Sequence, residues 1–140
     1  MWTYDLAREQ CPTIDHLRRL CELSLESGYN ALGLYLEHRF AYPSAPWAHG
    51  AGVLQPEAVR TLQEEFKDLK LVPFVNLLGH FEGFLATEAG KKYAETRFGG
   101  QACPSNPEFF ELAHKLLDDV LQVFTSDLIH IGGDETDLLG

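Results

Sequence analysis

His130-Ile131-Gly132-Gly133-Asp134-Glu135 sets two adjacent carboxylates behind a short apolar run and a pair of glycines. Neighbouring side chains on a regular strand point to opposite faces, so adjacent acids there diverge. Glycine escapes that rule because it adopts backbone angles other residues avoid. A kink at Gly132-Gly133 would let Asp134 and Glu135 face one site. Paired carboxylates of this kind suit acid-assisted cleavage of a glycosidic bond.

The elements that must hold such a pair can be read upstream. Trp2 to Leu6 has strand character. Pro12-Thr13 opens a helix with Ile14, Leu17, Leu20, Cys21 and Leu25 on one face and Gly28 as its stop. Asn30 to Leu36 is a second strand, and residues 37–55 form a loop rich in Pro, Gly, Ala and aromatics, of a length that usually serves function. Pro56 begins a helix carrying Val59, Leu62 and Phe66. Leu69 to Val75 is a third strand, weakened by Pro73 if it stands in mid-sheet. A short helix is expected near Gly83–Tyr93. Pro107 opens a helix through Phe110, Leu112, Ala113, Leu116, Leu117, Val120 and Phe124, and Leu128–Ile131 is the fourth strand.

This alternation predicts an α/β fold with parallel strands and helical crossovers. The candidate polar groups then fall after strand ends: Asp5 and Arg8, Glu37 with His38 and Arg39, Asn76 and His80, Asp134 and Glu135. That rim is where (β/α)8 TIM barrels carry their active sites. An open doubly wound sheet also fits, but no Gly-rich phosphate loop follows the first strand. A whole barrel takes about 250 residues. The 140 residues therefore predict one partial domain, 1–140, the N-terminal half (about β1–β4) of such a barrel.

A net charge of −10, with 21 acidic against 11 basic residues, argues against a nucleic-acid partner and permits a neutral substrate. No apolar stretch reaches membrane-spanning length. Cys11, Cys21 and Cys103 form an odd set without a CxxC pair, which indicates neither a zinc site nor a disulfide framework and favours reduced, cytoplasmic thiols. Met1-Trp2-Thr3-Tyr4-Asp5 lacks the features of a secretion leader.

On these residues the sequence resembles glycoside hydrolase family 20, the β-N-acetylhexosaminidases. His-Ile-Gly-Gly-Asp-Glu is similar to that family's fourth-strand signature, Asp5-Leu6-Ala7-Arg8 to its Asp-x-x-Arg, and Gly79-His80 to the Gly-His of its third loop. Tyr35-Leu36-Glu37-His38 and Gly79-His80-Phe81-Glu82 resemble the hexosaminidase D-like branch. The resemblance implies hydrolysis of terminal β-linked N-acetylglucosamine or N-acetylgalactosamine from a glycoconjugate, by a retaining mechanism in which the substrate's acetamide oxygen is the nucleophile. It implies Glu135 as general acid and base, Asp134 as acceptor of the acetamide N–H, and His80 as the residue that tunes Glu135. Arg8 would hold sugar hydroxyls, Glu37 would stand in for the acid that backs the loop histidine, and Asn76 and Glu82 would line the pocket. No cofactor or metal is implied. The pocket's aromatic walls would come from strands five to eight, so the implied partner is a C-terminal half-barrel missing from this sequence.

Other readings are open to the same residues. Glu37, His80, Asp134 and Glu135 could serve as ligands in a divalent-metal barrel. A half-barrel could also bind sugar or a partner chain without turnover, its exposed strand edges favouring association. Trp47, Phe40 and Tyr42 could stack on a sugar or pack in the core. His130 and Asp5 read as structural. Diguanylate cyclases also carry Gly-Gly-Asp-Glu, but followed by Phe in mid-domain, whereas Thr136 follows here.

Overall fold

A computed structural model describes residues 1–8, 12–97, 99–136 and 138; Cys11 lies outside them. Three strands, β1 (Trp2–Asp5), β2 (Ala31–Tyr35) and β3 (Lys70–Phe74), form a parallel sheet in the order β1-β2-β3. Asp5, Tyr35 and Phe74 share one row of the register. All three strands therefore end at the same rim.

Helix α1 (Ile14–Glu26) joins β1 to β2, and α2 (Pro56–Glu65) joins β2 to β3. Thr13 caps α1 by accepting the His16 amide, and Gly28 at φ +78° closes it, as the sequence predicts. The short helix α3 (Glu82–Leu85) and a 3-10 turn at Lys91–Tyr93 occupy the segment where one short helix was predicted. Helix α4 (Pro107–Leu121) starts at Asn106, whose side chain accepts the Glu108 and Phe109 amides. No described helix is long and apolar enough to cross a membrane.

Alternation along β2 sends Leu32, Leu34 and Leu36 into the helix layer, where none has measurable exposure. Trp2 and Tyr4 join them, Trp2 donating to Ser24 Oγ at 2.9 Å and Tyr4 packing on His16. The opposite face carries Thr3, Asp5, Gly33, Tyr35 and Phe74. Gly33 is required there: a Cβ would lie 2.7 Å from the Phe74 ring and 2.8 Å from Thr3 Oγ1.

Three predicted details are corrected. The fourth strand shrinks to a single parallel bridge between His130 and Phe74. Pro73 explains this. Its carbonyl accepts His130 N at 2.9 Å, but it has no N–H to offer the carbonyl of Leu128, so pairing begins only at His130. The buried stripe of α4 is Phe109, Leu112, Leu116 and Val120 rather than one including Phe110, which is 60% exposed and packs on His114 one turn on. Leu25 of α1 is likewise exposed, the stripe running instead through Ser24.

Residues 37–55 pack their aromatic side chains inward while 49–52 stay exposed. Phe40 and Tyr42 are fully buried and meet edge to face, and Trp47 stacks on Tyr93, so these aromatics belong to the core and its border.

Two substitutions check this layering. Leu34→Ala should cost ~2–5 kcal/mol in denaturant unfolding, as expected for a fully buried leucine. Phe110→Ala should stay within ~0.5 kcal/mol of the native chain.

Candidate active site

Beyond His130 the backbone turns through Gly132 (φ +76°) and Gly133 (φ +111°), and Glu135 itself sits at φ +49°. The result is convergence: His80 Nε2 lies 3.1 Å from Glu135 Oε2 and 3.6 Å from Asp134 Oδ2. The loop after β3 makes this possible by lying directly against the acids' backbone. A Cβ on Gly79 would come within 2.6 Å of the Asp134 carbonyl oxygen, so only glycine fits. From the other side, buried Gln101 holds Leu138 at both its N–H and its carbonyl. His130 stays structural, its ring stacked on Phe74 at 4.5 Å and its Nδ1 accepting the Gly132 amide.

His80 and Glu37 also have positive φ, +52° and +41°. Non-glycine residues rarely take such angles, and the cost, of order 1–3 kcal/mol each, persists only where surrounding contacts impose it. All three strained non-glycine residues among those described belong to this cluster.

Arg8 binds the cluster together. Its Nη1 donates to Glu37 Oε1 at 2.7 Å and lies 3.5 Å from Asp5 Oδ2, while Nη2 is 3.4 Å from His80 Nδ1. Its guanidinium rests on the Tyr35 ring, 5.2 Å from the centroid. Asn76 lies beneath, 1% exposed, and donates to the Tyr35 hydroxyl at 2.8 Å. Its Oδ1 is buried without a hydrogen-bond partner. The expectation that Asn76 lines the pocket is thus corrected: it supports Tyr35 from below. Glu37, in the 3-10 turn Glu37–Arg39, hydrogen-bonds Arg8, which in turn reaches His80.

Burial raises the Glu37 carboxyl above the ordinary carboxylate range, against the opposing pull of Arg8. The catalytic candidates are far more open, with 60% of the Asp134 side chain and 77% of Glu135 exposed.

Two clefts meet at His80 and Glu82. One, of about 380 Å³, is lined by Arg8, Glu37, His38, His80, Glu82 and Gly83. The other, of about 400 Å³, is lined by His80, Glu82, Gly100, Gln101, Glu135 and Thr136. Glu82 lines both clefts. His38 fits only because residue 83 is glycine, a Cβ there falling 1.9 Å from its Nδ1. Among the described residues no group of three or more His, Cys, Asp or Glu side chains is arranged to hold a metal ion. Tyr35, Gly79, Gly83 and Gln101 escape sequence reasoning as site residues. Only Tyr35 and Gly79 carried a signal, through their places in the two short motifs.

The fold is α/β with a parallel sheet whose C-terminal rim carries the acids, and comparison with known proteins shows what it is similar to. Residues 70–138 match the model of glycosyl hydrolase family 20, catalytic domain. The chain is 25% identical to Beta-hexosaminidase A of Caenorhabditis elegans, over 88% of its own length and 25% of the relative's. It superposes on the chitobiase of Flavobacterium johnsoniae with a TM-score of 0.79 at 20% identity, covering 96% of this chain and 23% of that one. The β-N-acetylhexosaminidase of Bacteroides fragilis gives 0.78 at 18%, covering 97% and 32%. The chain spans about a quarter of the length of the curated relatives it matches.

The raised Glu37 carboxyl has a pH signature. Because the fold favours its protonated form, its stabilising contribution is complete below the unfolded value of about 4.3 and is lost as pH rises through the folded value. Thermal unfolding followed from about pH 4 to pH 7 should therefore show the native chain losing stability relative to Glu37→Gln. A difference in Tm that does not change with pH would contradict the assignment.

Proposed function

We propose that the chain is the N-terminal half, about β1–β4, of a (β/α)8 glycoside hydrolase barrel that removes terminal β-linked N-acetylhexosamine from glycoconjugates. The observation that carries this reading is the convergence of Asp134 and Glu135 on His80 at the rim of a parallel sheet. The relatives' names supply the sugar class. Residues 1–140 then make one partial domain whose partner is a second half-barrel. The Tyr35-x-Glu37-His38 and Gly79-His80-Phe81-Glu82 pieces support the hexosaminidase D-like branch.

In this mechanism Glu135 protonates the glycosidic oxygen while the substrate's acetamide oxygen attacks the anomeric carbon, so that configuration is retained. Asp134 accepts the acetamide N–H and stabilises the positive charge that develops on the ring it closes. Glu135 then removes a proton from the water that opens the intermediate. Arg8 keeps N–H groups toward the open cleft, half its side chain being exposed, and offers them to sugar hydroxyls. Glu82 lines both clefts, in one of them together with Glu135.

The exposure of both acids favours a second reading for the 140 residues by themselves: binding without efficient turnover. Electrostatic and proton-transfer catalysis gain their strength where water is excluded. A second half-barrel would close over the acids and supply that exclusion.

Hydrolysis of a chromogenic β-N-acetylglucosaminide tests both readings, measured on this chain and on a form extended by further βα units. Glu135→Gln should lower turnover of the extended form by roughly 10²–10⁴. Asp134→Asn should erode its preference for N-acetylated over unmodified glucosides. Near-native turnover in both variants would remove the assignment, and equal rates for the two forms would remove the requirement for a second half.

A further inference from the structure

The nitrogen of His80 that faces away from the acids meets a guanidinium, and this has a chemical consequence. Arginine stays protonated in proteins and offers only donors. With Arg8 Nη2 at 3.4 Å, His80 Nδ1 can bond to it only as an acceptor, through its lone pair. The ring proton must then sit on Nε2, the atom 3.1 Å from Glu135 Oε2. Glu37 and Asp5 face the other end of the same guanidinium. Tyr35 lies beneath it and also meets the His80 ring edge to face, at 6.4 Å. Three elements thus hold one imidazole: the turn after β1, the end of β2 and the loop after β3.

We infer that Arg8, braced by Glu37 and the Tyr35 ring, is a positioning residue that fixes His80 with its proton on Nε2, so that Glu135 Oε2 is held as an acceptor and Oε1 is left to carry the transferable proton. The sugar-binding duty expected of Arg8 is retained by the N–H groups not engaged by Glu37 and His80. In the chemical step the proton passes from Glu135 Oε1 to the glycosidic oxygen. The anomeric C–O bond breaks with its electron pair on that oxygen, and the His80 proton stays in place. The link to catalysis rests on Glu135 being the acid of the proposed function; the tautomer does not.

Nitrogen-15 NMR of the imidazole rings reads the tautomer directly, with a His80→Gln spectrum identifying the His80 signals by subtraction. The native chain should show a protonated Nε2 and an unprotonated Nδ1. Arg8→Met should shift the ring toward a mixture of tautomers, and Tyr35→Leu should do the same. A protonated Nδ1 in the native chain overturns the inference whether or not any variant folds, and so does an unchanged pattern in a folded Arg8→Met chain. In a catalytically active extended form, Arg8→Met should lower kcat by roughly 10²-fold. A rise in KM with kcat unchanged would leave Arg8 a binding residue only and overturn its positioning role. Absence of turnover in that extended form would remove the hydrolase reading while the tautomer is still decided by the spectrum.

Discussion

The site depends on one short piece of backbone pairing. The Pro73 carbonyl accepts the His130 amide at 2.9 Å, and the Val75 amide donates to the His130 carbonyl at 2.7 Å. These two bonds dock residues 130–135 beside β3, whose following loop carries His80. The Leu77 amide extends the docking by donating to the Ile131 carbonyl at 3.2 Å, and the close fit of Gly79 against the Asp134 backbone completes it. The pairing is confined to a single bridge because proline withholds one donor, and the chain is then free to turn at Gly132 and Gly133. A longer regular strand would have sent Asp134 and Glu135 to opposite faces.

Around that docking point the electrostatics divide into two zones. The inner zone, Glu37, Arg8 and Tyr35 over Asn76, is mutually paired, with Glu37 and Asn76 buried and Arg8 half-exposed. The outer zone, Asp134 and Glu135, is open to water and touches the inner one through His80 alone among the contacts described. Strained backbone at Glu37, His80 and Glu135 marks the points where the zones are joined. Local strain concentrated at a cluster of polar side chains is the pattern of preorganisation, in which packing elsewhere offsets the cost of a fixed geometry.

Much of this was legible in the sequence because it rests on local rules. The helix starts at Thr13, Pro56 and Pro107, the stop at Gly28, and the three strands follow from capping chemistry and hydrophobic period. The gathering of Arg8, Glu37, His80, Asp134 and Glu135 on one rim follows from parallel topology. What escaped was set by contacts between distant segments. Nothing in the period of α4 says that Phe109 rather than Phe110 turns inward, because both fit a helical stripe and only the neighbouring Phe81 and Tyr93 decide between them. Asn76 looks like a pocket residue until Tyr35, across the sheet, claims its amide.

The sequence by itself determined which residues are available for chemistry and at which end of the sheet they emerge, since alternating elements and parallel crossovers leave little choice. Tertiary structure alone decided their partners. That Arg8 reaches past Glu37 to His80, that Gly79 admits the backbone of Asp134, and that Gln101 clasps Leu138 are matters of distance between segments far apart in the chain. Such distances depend on how side chains pack on a shared face, and no local pattern of residues encodes them.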